Sequence, residues 1–153
     1  MQQVKSKKRV ADHGEVFTSE REVSAMLDLV KQETDRVDSK FLEPACGTGN
    51  FLAEILRRKM EVVVRRYKSN QHDFERNSIT AISSIYGVDI LRDNTIECRE
   101  RLFKIFDEIY IKIYKKKTKD KVRDTVQFIL QRNIVLGDAL SLETVDDIPK
   151  PII

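Results

Sequence analysis

Apolar residues recur every three or four positions in five stretches of the chain, which is the spacing that buries one face of an α-helix. These stretches cover residues 23–30, 50–67, 71–83, 102–113 and 122–130. The first follows Ser19-Glu20-Arg21-Glu22, which has the form of a capping box because the Ser19 and Glu22 side chains can satisfy backbone donors at a helix start. The pattern predicts five helices, the first of about three turns.

Three short apolar runs predict β-strands. They cover residues 40–45, 85–89 and 133–138. Strands that alternate with helices favour a parallel sheet joined by right-handed crossovers. We therefore expect an α/β fold in which an incomplete parallel sheet is flanked by helices. Residues 1–18 are polar without clear periodicity, and the acidic stretch after Asp138 predicts no closing element.

The bulk composition fits one compact domain with a hydrophobic core, since 41% of the 153 residues are hydrophobic and 35% are charged. The net charge of +3 is too weak to argue nucleic-acid binding by itself. Basic clusters occur at residues 5–9 and 115–119, and the second follows a predicted helix, whose C-terminus favours cations. No apolar run approaches the roughly 20 residues that cross a bilayer, so we expect a cytoplasmic protein without a membrane partner.

Cysteine and histidine are too sparse to indicate a metal site. Cys46 and Cys98 match no metal-ligand spacing, and His13 and His72 stand alone. We expect two free thiols in a reducing compartment and no bound metal.

The turn after the first predicted strand carries two glycines, Gly47 and Gly49. Glycines let the backbone turn tightly and approach a ligand, and the following helix start directs its amides at that ligand. The dinucleotide fingerprint requires a third glycine, but Leu52 occupies that position, which disfavours a pyrophosphate cofactor. By themselves the two glycines are equally consistent with a simple strand-to-helix turn.

Acidic residues end the second and third predicted strands. In an open parallel sheet, ligands bind beyond the carboxyl ends of the strands. Asp89 can accept ribose hydroxyls, although a helix N-cap is an alternative role. Asp138 can accept a hydrogen bond from an adenine amino group, although a turn aspartate is an alternative role. Together with the glycine turn, these positions indicate a nucleoside ligand.

Residues 43–52, Glu-Pro-Ala-Cys-Gly-Thr-Gly-Asn-Phe-Leu, resemble the cofactor motif of S-adenosylmethionine-dependent DNA adenine-N6 methyltransferases, which include the modification subunits of restriction systems. Residues 14–18 resemble the segment that precedes this motif in the gamma order of the family, and residues 133–139 resemble its third cofactor segment. The family usually has Asp where this chain has Glu43, and often Pro where it has Ser19.

The resemblance implies a Rossmann-like class I methyltransferase fold and S-adenosylmethionine as cofactor. Residues 1–38 would form an N-terminal helical segment that packs on the cofactor site, and residues 39–153 would form the S-adenosylmethionine-binding domain. The implied cofactor-binding residues are Phe17, Thr18, Glu43, Pro44, Ala45, Gly47, Gly49, Asp89, Ile90, Asp138 and Ala139.

Each part of the cofactor has an implied contact in this set. Thr18 and nearby backbone would hold the methionine carboxylate, and Glu43 with the glycine turn would face the methionine ammonium. Asp89 would bind the ribose, and Asp138 with Ala139 the adenine.

The family performs catalysis with an Asn/Asp-Pro-Pro-Tyr/Phe segment, in which acceptors stabilise charge that develops on the target amino group. The three prolines here are Pro44, Pro149 and Pro151, so no Pro-Pro pair occurs. We therefore expect no catalytic residues in this chain, which would be truncated before the catalytic segment, lack a target-recognition domain and be inactive alone. DNA would bind through other parts of a restriction-modification enzyme, together with a specificity or nuclease subunit.

Other functions remain open. A related enzyme could methylate RNA or a protein side chain, and a stand-alone S-adenosylmethionine-binding module or non-catalytic subunit could lack catalysis altogether. A nicotinamide-dependent dehydrogenase is disfavoured by Leu52.

Overall fold

The computed structural model describes residues 3–152 as an α/β fold with a four-stranded, mostly parallel open sheet. Seven α-helices lie within these residues: α1 Lys7–His13, α2 Glu20–Asp28, α3 Lys31–Thr34, α4 Asn50–Tyr67, α5 Gln71–Ser83, α6 Arg92–Tyr114 and α7 Asp120–Asn133. The strands are β1 Phe41–Glu43, β2 Ile85–Asp89, β3 Ile134–Asp138 and β4 Glu143–Thr144, and a short 3-10 helix spans Lys115–Lys117.

The five predicted helices and three predicted strands are present. The capping box is confirmed: the Ser19 hydroxyl accepts from the Glu22 backbone N–H, and the Glu22 carboxylate accepts from the Ser19 N–H. The bounds of α4 and β2 match their predicted ranges. The first strand is shorter than predicted because the chain turns at Pro44, which has no N–H to donate to a ladder.

Four elements were not predicted: α1, α3, the 3-10 helix and β4. In α1, the Ser6 hydroxyl accepts from the Arg9 N–H at the start, and Gly14 ends the helix in the left-handed conformation. The helix α3 is a single turn. The prediction that no element follows Asp138 is wrong, because β4 pairs antiparallel with β3 and matches Thr144 to Gly137.

The strand order β1-β2-β3-β4 follows the chain, and the first three strands are parallel. Glu43 pairs with Gly87, and Asp89 pairs with Leu136. Because strand side chains alternate between faces, Glu43, Asp89 and Asp138 share one face. This is the face of α4, since a Cβ on Gly87 would stand 2.8 Å from the Leu52 side chain. Each parallel strand therefore ends on a carboxylate, and the three carboxylates lie at one edge of the same sheet face.

The core lies between this sheet face and the helices, with α4 and α6 packed on each other and on β2. Fully buried side chains include Leu52, Leu56, Phe106 and Ile134. Within residues 3–152, no helix is both long and apolar enough to cross a membrane.

The same core contains the buried lysine Lys59, near the amino end of the sheet. Its ammonium donates to the backbone oxygens of Arg36 (3.1 Å), Val37 (3.0 Å) and Ser39 (2.5 Å) and to the Ser84 hydroxyl (2.8 Å). Lys59 thereby joins the loop before β1 to the residue before β2.

Candidate ligand-binding site

A tight turn joins β1 to α4 at the carboxyl edge of the sheet. The Cys46 N–H donates to the Val88 carbonyl at 2.9 Å, and the Gly49 N–H donates to the Cys46 carbonyl at 2.9 Å. Gly47 and Gly49 have φ values of +54° and +88°, in the left-handed region that favours glycine. The two glycines of the sequence motif are therefore required by the backbone of this turn.

Asp89 holds this turn from the neighbouring strand. Its Oδ2 accepts from the Gly47 N–H at 2.9 Å, while Oδ1 accepts from the Leu91 N–H at 2.9 Å and from Asn94 Nδ2 at 3.1 Å. A carboxylate has about four acceptor directions, so three are filled and one on Oδ2 is left for a ligand. The alternative role as a helix N-cap is wrong, because Leu91 occupies the N-cap position of α6.

Glu43, at the end of β1, is partly buried and makes one long hydrogen bond, in which its Oε1 accepts from the Ala45 N–H at 3.4 Å. Among residues 3–152, no cationic side chain forms an ion pair with it. Burial raises the pKa of the Glu43 carboxyl, since the backbone hydrogen bond offsets only part of the desolvation. A ligand cation beside this carboxylate would stabilise its charged form.

Asp138, at the end of β3, accepts the Leu140 N–H through Oδ1 at 2.8 Å. This is the local bond expected of a turn aspartate, the alternative role inferred from the sequence. Its Oδ2 does not take part in that bond. Ala139 is partly exposed, and Ile90, Pro44 and Ala45 are exposed at the same edge of the sheet.

Comparison with known proteins assigns no family to the chain. No family model, curated protein or solved structure matches the chain. Within the part of the chain that the structure describes, no group of three or more histidine, cysteine or acidic side chains is placed to hold a metal ion.

The segment before α2 lies against the glycine turn. The Phe17 ring stands 3.2 Å from the position that a Cβ on Gly47 would occupy. The Thr18 carbonyl accepts from Asn50 Nδ2 at 2.9 Å, at the first residue of α4. Phe17 thus contacts Gly47, and Gly47 is hydrogen-bonded to Asp89. Glu43 and Asp138 lie at the ends of the strands on either side of β2.

Asn94, which sequence reasoning missed, links Asp89 to the N-terminal segment. It is 1% exposed, and its Nδ2 donates to Glu15 Oε1 at 2.8 Å as well as to Asp89. Its Oδ1 accepts from Lys5 Nζ at 2.9 Å and from Arg9 Nη2 at 3.2 Å. The available signal was helical spacing, since Asn94 precedes the buried Cys98 by four residues on α6.

The two thiols, separated by 51 intervening residues in sequence, meet beneath the glycine turn. Cys46 and Cys98 are both buried and free, and the Cys46 thiol donates to the Gly47 carbonyl at 3.7 Å. The adjacent Cys98 thiol, and then burial, raise the pKa of Cys46 well above its usual range. The Cys46 thiol therefore stays protonated at neutral pH and is a packing group rather than a nucleophile.

Acid is expected to loosen the contact between the N-terminal segment and α6. Hydrogen bonds from Arg9 lower the pKa of Asp93 to about 2. Burial alone would raise the pKa of Glu15, but hydrogen bonds from Arg9 and Asn94 lower it. A carboxylate with a lowered folded pKa stabilises the fold above its unfolded pKa of about 4 and loses that contribution as the pH falls through the folded value. The contact should therefore weaken between about pH 4 and pH 2.

Nuclear magnetic resonance of the Arg9 Nη–H groups, which donate to Asp93, during a titration from pH 6 to pH 2 measures this release. The Asp93→Asn variant is the control, because its side chain no longer titrates, and its Arg9 signal should change less in that range. An Arg9 signal that does not move in the wild type above pH 2 would contradict the expected release.

Proposed function

We propose that this chain is the S-adenosylmethionine-binding part of a DNA adenine-N6 methyltransferase, with a Rossmann-like class I fold. The observation that carries the proposal is the edge where three parallel strands end on carboxylates beside a two-glycine turn. The proposed site consists of Glu43, the glycine turn, Asp89 and Asp138.

The donor and acceptor set fits this cofactor. Glu43 is an unpaired carboxylate that would accept from the methionine ammonium. Asp89 offers its remaining Oδ2 acceptor direction to a ribose hydroxyl. Asp138 Oδ2 would accept from the adenine amino group. When bound, the cofactor would supply an electrophilic methyl group, and this chain's residues would orient it at the sheet edge.

A non-catalytic S-adenosylmethionine-binding module or subunit is the second candidate, because the side chains of the proposed site would bind the cofactor without themselves supplying a catalytic group. Both candidates bind the same ligand at the same residues. A methyl-transfer assay with DNA, RNA and protein acceptors, run on the chain alone and on any longer protein that contains it, separates the two.

Calorimetric titration of the chain with S-adenosylmethionine tests the proposal. The wild type should bind, and Asp89→Ala should lose about 1–3 kcal/mol of binding free energy, because a ligand hydroxyl is left without its acceptor. Asp124→Ala is the matched control, since Asp124 is exposed on α7, away from the strand ends. Its affinity should equal that of the wild type.

Asp89 also holds the Gly47 amide, so the unfolding midpoint of each variant should be measured beside its affinity. Asp89→Asn keeps the size of the side chain and separates loss of the carboxylate from loss of packing. Equal affinity in the wild type and Asp89→Ala would contradict the role of Asp89. A folded wild type that binds no S-adenosylmethionine would contradict the proposed function.

A further inference from the structure

We infer that Asn94 positions the Asp89 carboxylate and makes its orientation depend on the docking of the N-terminal segment, residues 3–17. The coupling is a property of the unliganded protein. Only the identity of the ligand that benefits from it rests on the proposed function.

The Asn94 amide is fully used, which fixes it in one orientation. Its two N–H groups face the carboxylates of Glu15 and Asp89, and its oxygen faces the cations of Lys5 and Arg9. A rotated amide would direct its oxygen at two carboxylates and its N–H groups at two cations. Because the side chain is 1% exposed, water would not compensate for that mismatch.

The two cations belong to the N-terminal segment, so the amide is fixed only while that segment is docked. Lys5 and Arg9 also form ion pairs with Asp93 on the first turn of α6, at 3.1 and 2.7 Å. Arg9 pairs with Glu15, whose carboxylate is 8% exposed. The segment is thus held to α6 by charged contacts that converge on Asn94.

On its other side, Asn94 determines which Asp89 oxygen faces a ligand. Asn94 and the Leu91 N–H fill Oδ1, and the Gly47 N–H takes one direction of Oδ2. Asp89 can therefore receive one ligand hydroxyl on Oδ2 while Asn94 stays in place. Loss of the Asn94 contact would free the carboxylate to rotate and would weaken its bond to the Gly47 amide.

The coupling predicts reciprocal effects between the docking of the N-terminal segment, whose Phe17 ring also packs on Gly47, and the Asp89–Gly47 contact. Undocking the N-terminal segment should loosen the Asp89–Gly47 contact, and a ligand that bonds to Asp89 should stabilise the docked segment. Arg9 contacts Asn94 and gives a way to perturb the segment without altering Asp89 or its direct partners.

Amide hydrogen exchange on the unliganded protein tests the inference. Arg9→Gln should raise exchange at the Gly47 and Leu91 amides, the two backbone groups bound to Asp89, by at least about twofold, the lower end of coupling within a shared hydrogen-bond network. The same substitution in an Asn94→Ala background should leave these two amides unchanged. Lys8→Gln is the matched control, because Lys8 is exposed on the same helix.

General destabilisation would raise exchange throughout the core, so the two amides are compared with the Val88 amide on β2. Equal effects of Arg9→Gln with and without Asn94, or no effect at Gly47 and Leu91, would overturn the inference. If Asn94→Ala does not fold, a double-mutant cycle of Lys5→Gln and Arg9→Gln replaces it, since both cations bond to the Asn94 oxygen. The double variant should then exceed either single variant at Gly47, and no increase there would overturn the inference.

Titration with S-adenosylmethionine gives a second readout. Binding should lower exchange in residues 3–17 of the wild type and leave these residues unchanged in Asn94→Ala. A wild type that shows the Arg9–Asn94 coupling but binds no S-adenosylmethionine would reject the proposed function and retain the coupling. Binding without protection of residues 3–17 would reject the coupling and retain the proposed function.

Discussion

Lys59→Ala is expected to lower the free energy of unfolding by about 3–5 kcal/mol, because it leaves buried acceptors without a donor and removes a buried side chain. The substitution leaves three backbone carbonyls and the Ser84 hydroxyl without their shared donor. It also removes the lysine stem from a fully buried position on α4 and leaves a cavity there. Both effects act on the folded state in the same direction.

The ammonium is charged under ordinary conditions. Burial lowers the pKa of Lys59 to about 8, so the group is protonated at pH 6, where the measurement should be made. The Phe41 ring, with its centroid 5.3 Å from Nζ, adds a cation–π contact. Replacing all members of a buried ion pair by apolar residues can leave stability unchanged. Lys59→Ala differs from that case because the four acceptors remain buried in the variant.

Urea unfolding followed by circular dichroism measures the loss. Lys59→Met keeps most of the stem and should fall between the wild type and Lys59→Ala, which separates packing from the ammonium. Lys112→Ala, on the exposed side of α6, is the matched control and should stay within about 0.5 kcal/mol of the wild type. A Lys59→Ala variant within about 1 kcal/mol of the wild type would show that the four contacts contribute little.

The elements that the sequence predicts well carry a periodic apolar face or a specific boundary signal. The helix α4 has both a glycine before its start and a continuous apolar stripe, and its predicted range matches the structure. In α2, the Ser19–Glu22 capping box determines the start from two residues three positions apart. These signals are local, so neighbouring residues suffice to detect them.

The helix α1 was missed because charge, rather than an apolar face, holds it in place. It has no buried residue, and its contacts to the rest of the protein run from Arg9 to Asp93 and Asn94 on α6. Periodicity does not report such contacts. The remaining signals were Ser6 at the start and Gly14 at the end, which delimit seven mostly polar residues.

Buried polar residues inside apolar stripes were also missed, and for a different reason. Lys59 follows Leu56 by three residues and precedes Val63 by four, so its position predicts burial although its chemistry argues against it. Asn94 has the same relation to Cys98 on α6. Most of their hydrogen-bond partners are distant in sequence, so only the folded chain shows that burial is compensated. Both residues are central to the contacts at their end of the sheet.

For the candidate site too, the local strand pattern predicted one part, and contacts between distant residues determine the other. Parallel strands place their carboxyl ends together, so the common edge of Asp89 and Asp138 followed from the strand pattern. The filling of three Asp89 acceptor directions did not, because the donors come from the glycine turn, the residue before α6 and the first turn of α6. The role of each acid toward a ligand stays a prediction for the binding experiments.

Gly49→Ala is the second substitution with a large expected effect, a loss of about 2–5 kcal/mol of unfolding free energy. At φ +88° a Cβ adds about 1–2 kcal/mol of backbone strain. The new Cβ would stand 2.7 Å from the Cys98 sulfur, beneath the turn, and overlap of this kind in a packed core adds about 1–3 kcal/mol. The two contributions have different origins and can be separated by variants.

Gly14→Ala isolates the backbone strain, because Gly14 has φ +63° and nothing lies within 4 Å of its added Cβ. This control should lose about 1–2 kcal/mol. Cys98→Ala removes the sulfur, and the nearest remaining atom to the new Cβ of residue 49 is then the Cys98 Cβ, at an ordinary 3.5 Å. In the Cys98→Ala background, Gly49→Ala should therefore lose only as much as Gly14→Ala. Additive losses in the double variant would show that the turn does not press on α6 through this contact. If Gly49→Ala instead costs about 1–3 kcal/mol less unfolding free energy in the Cys98→Ala background than in the wild type, only glycine lets the turn lie this close to α6.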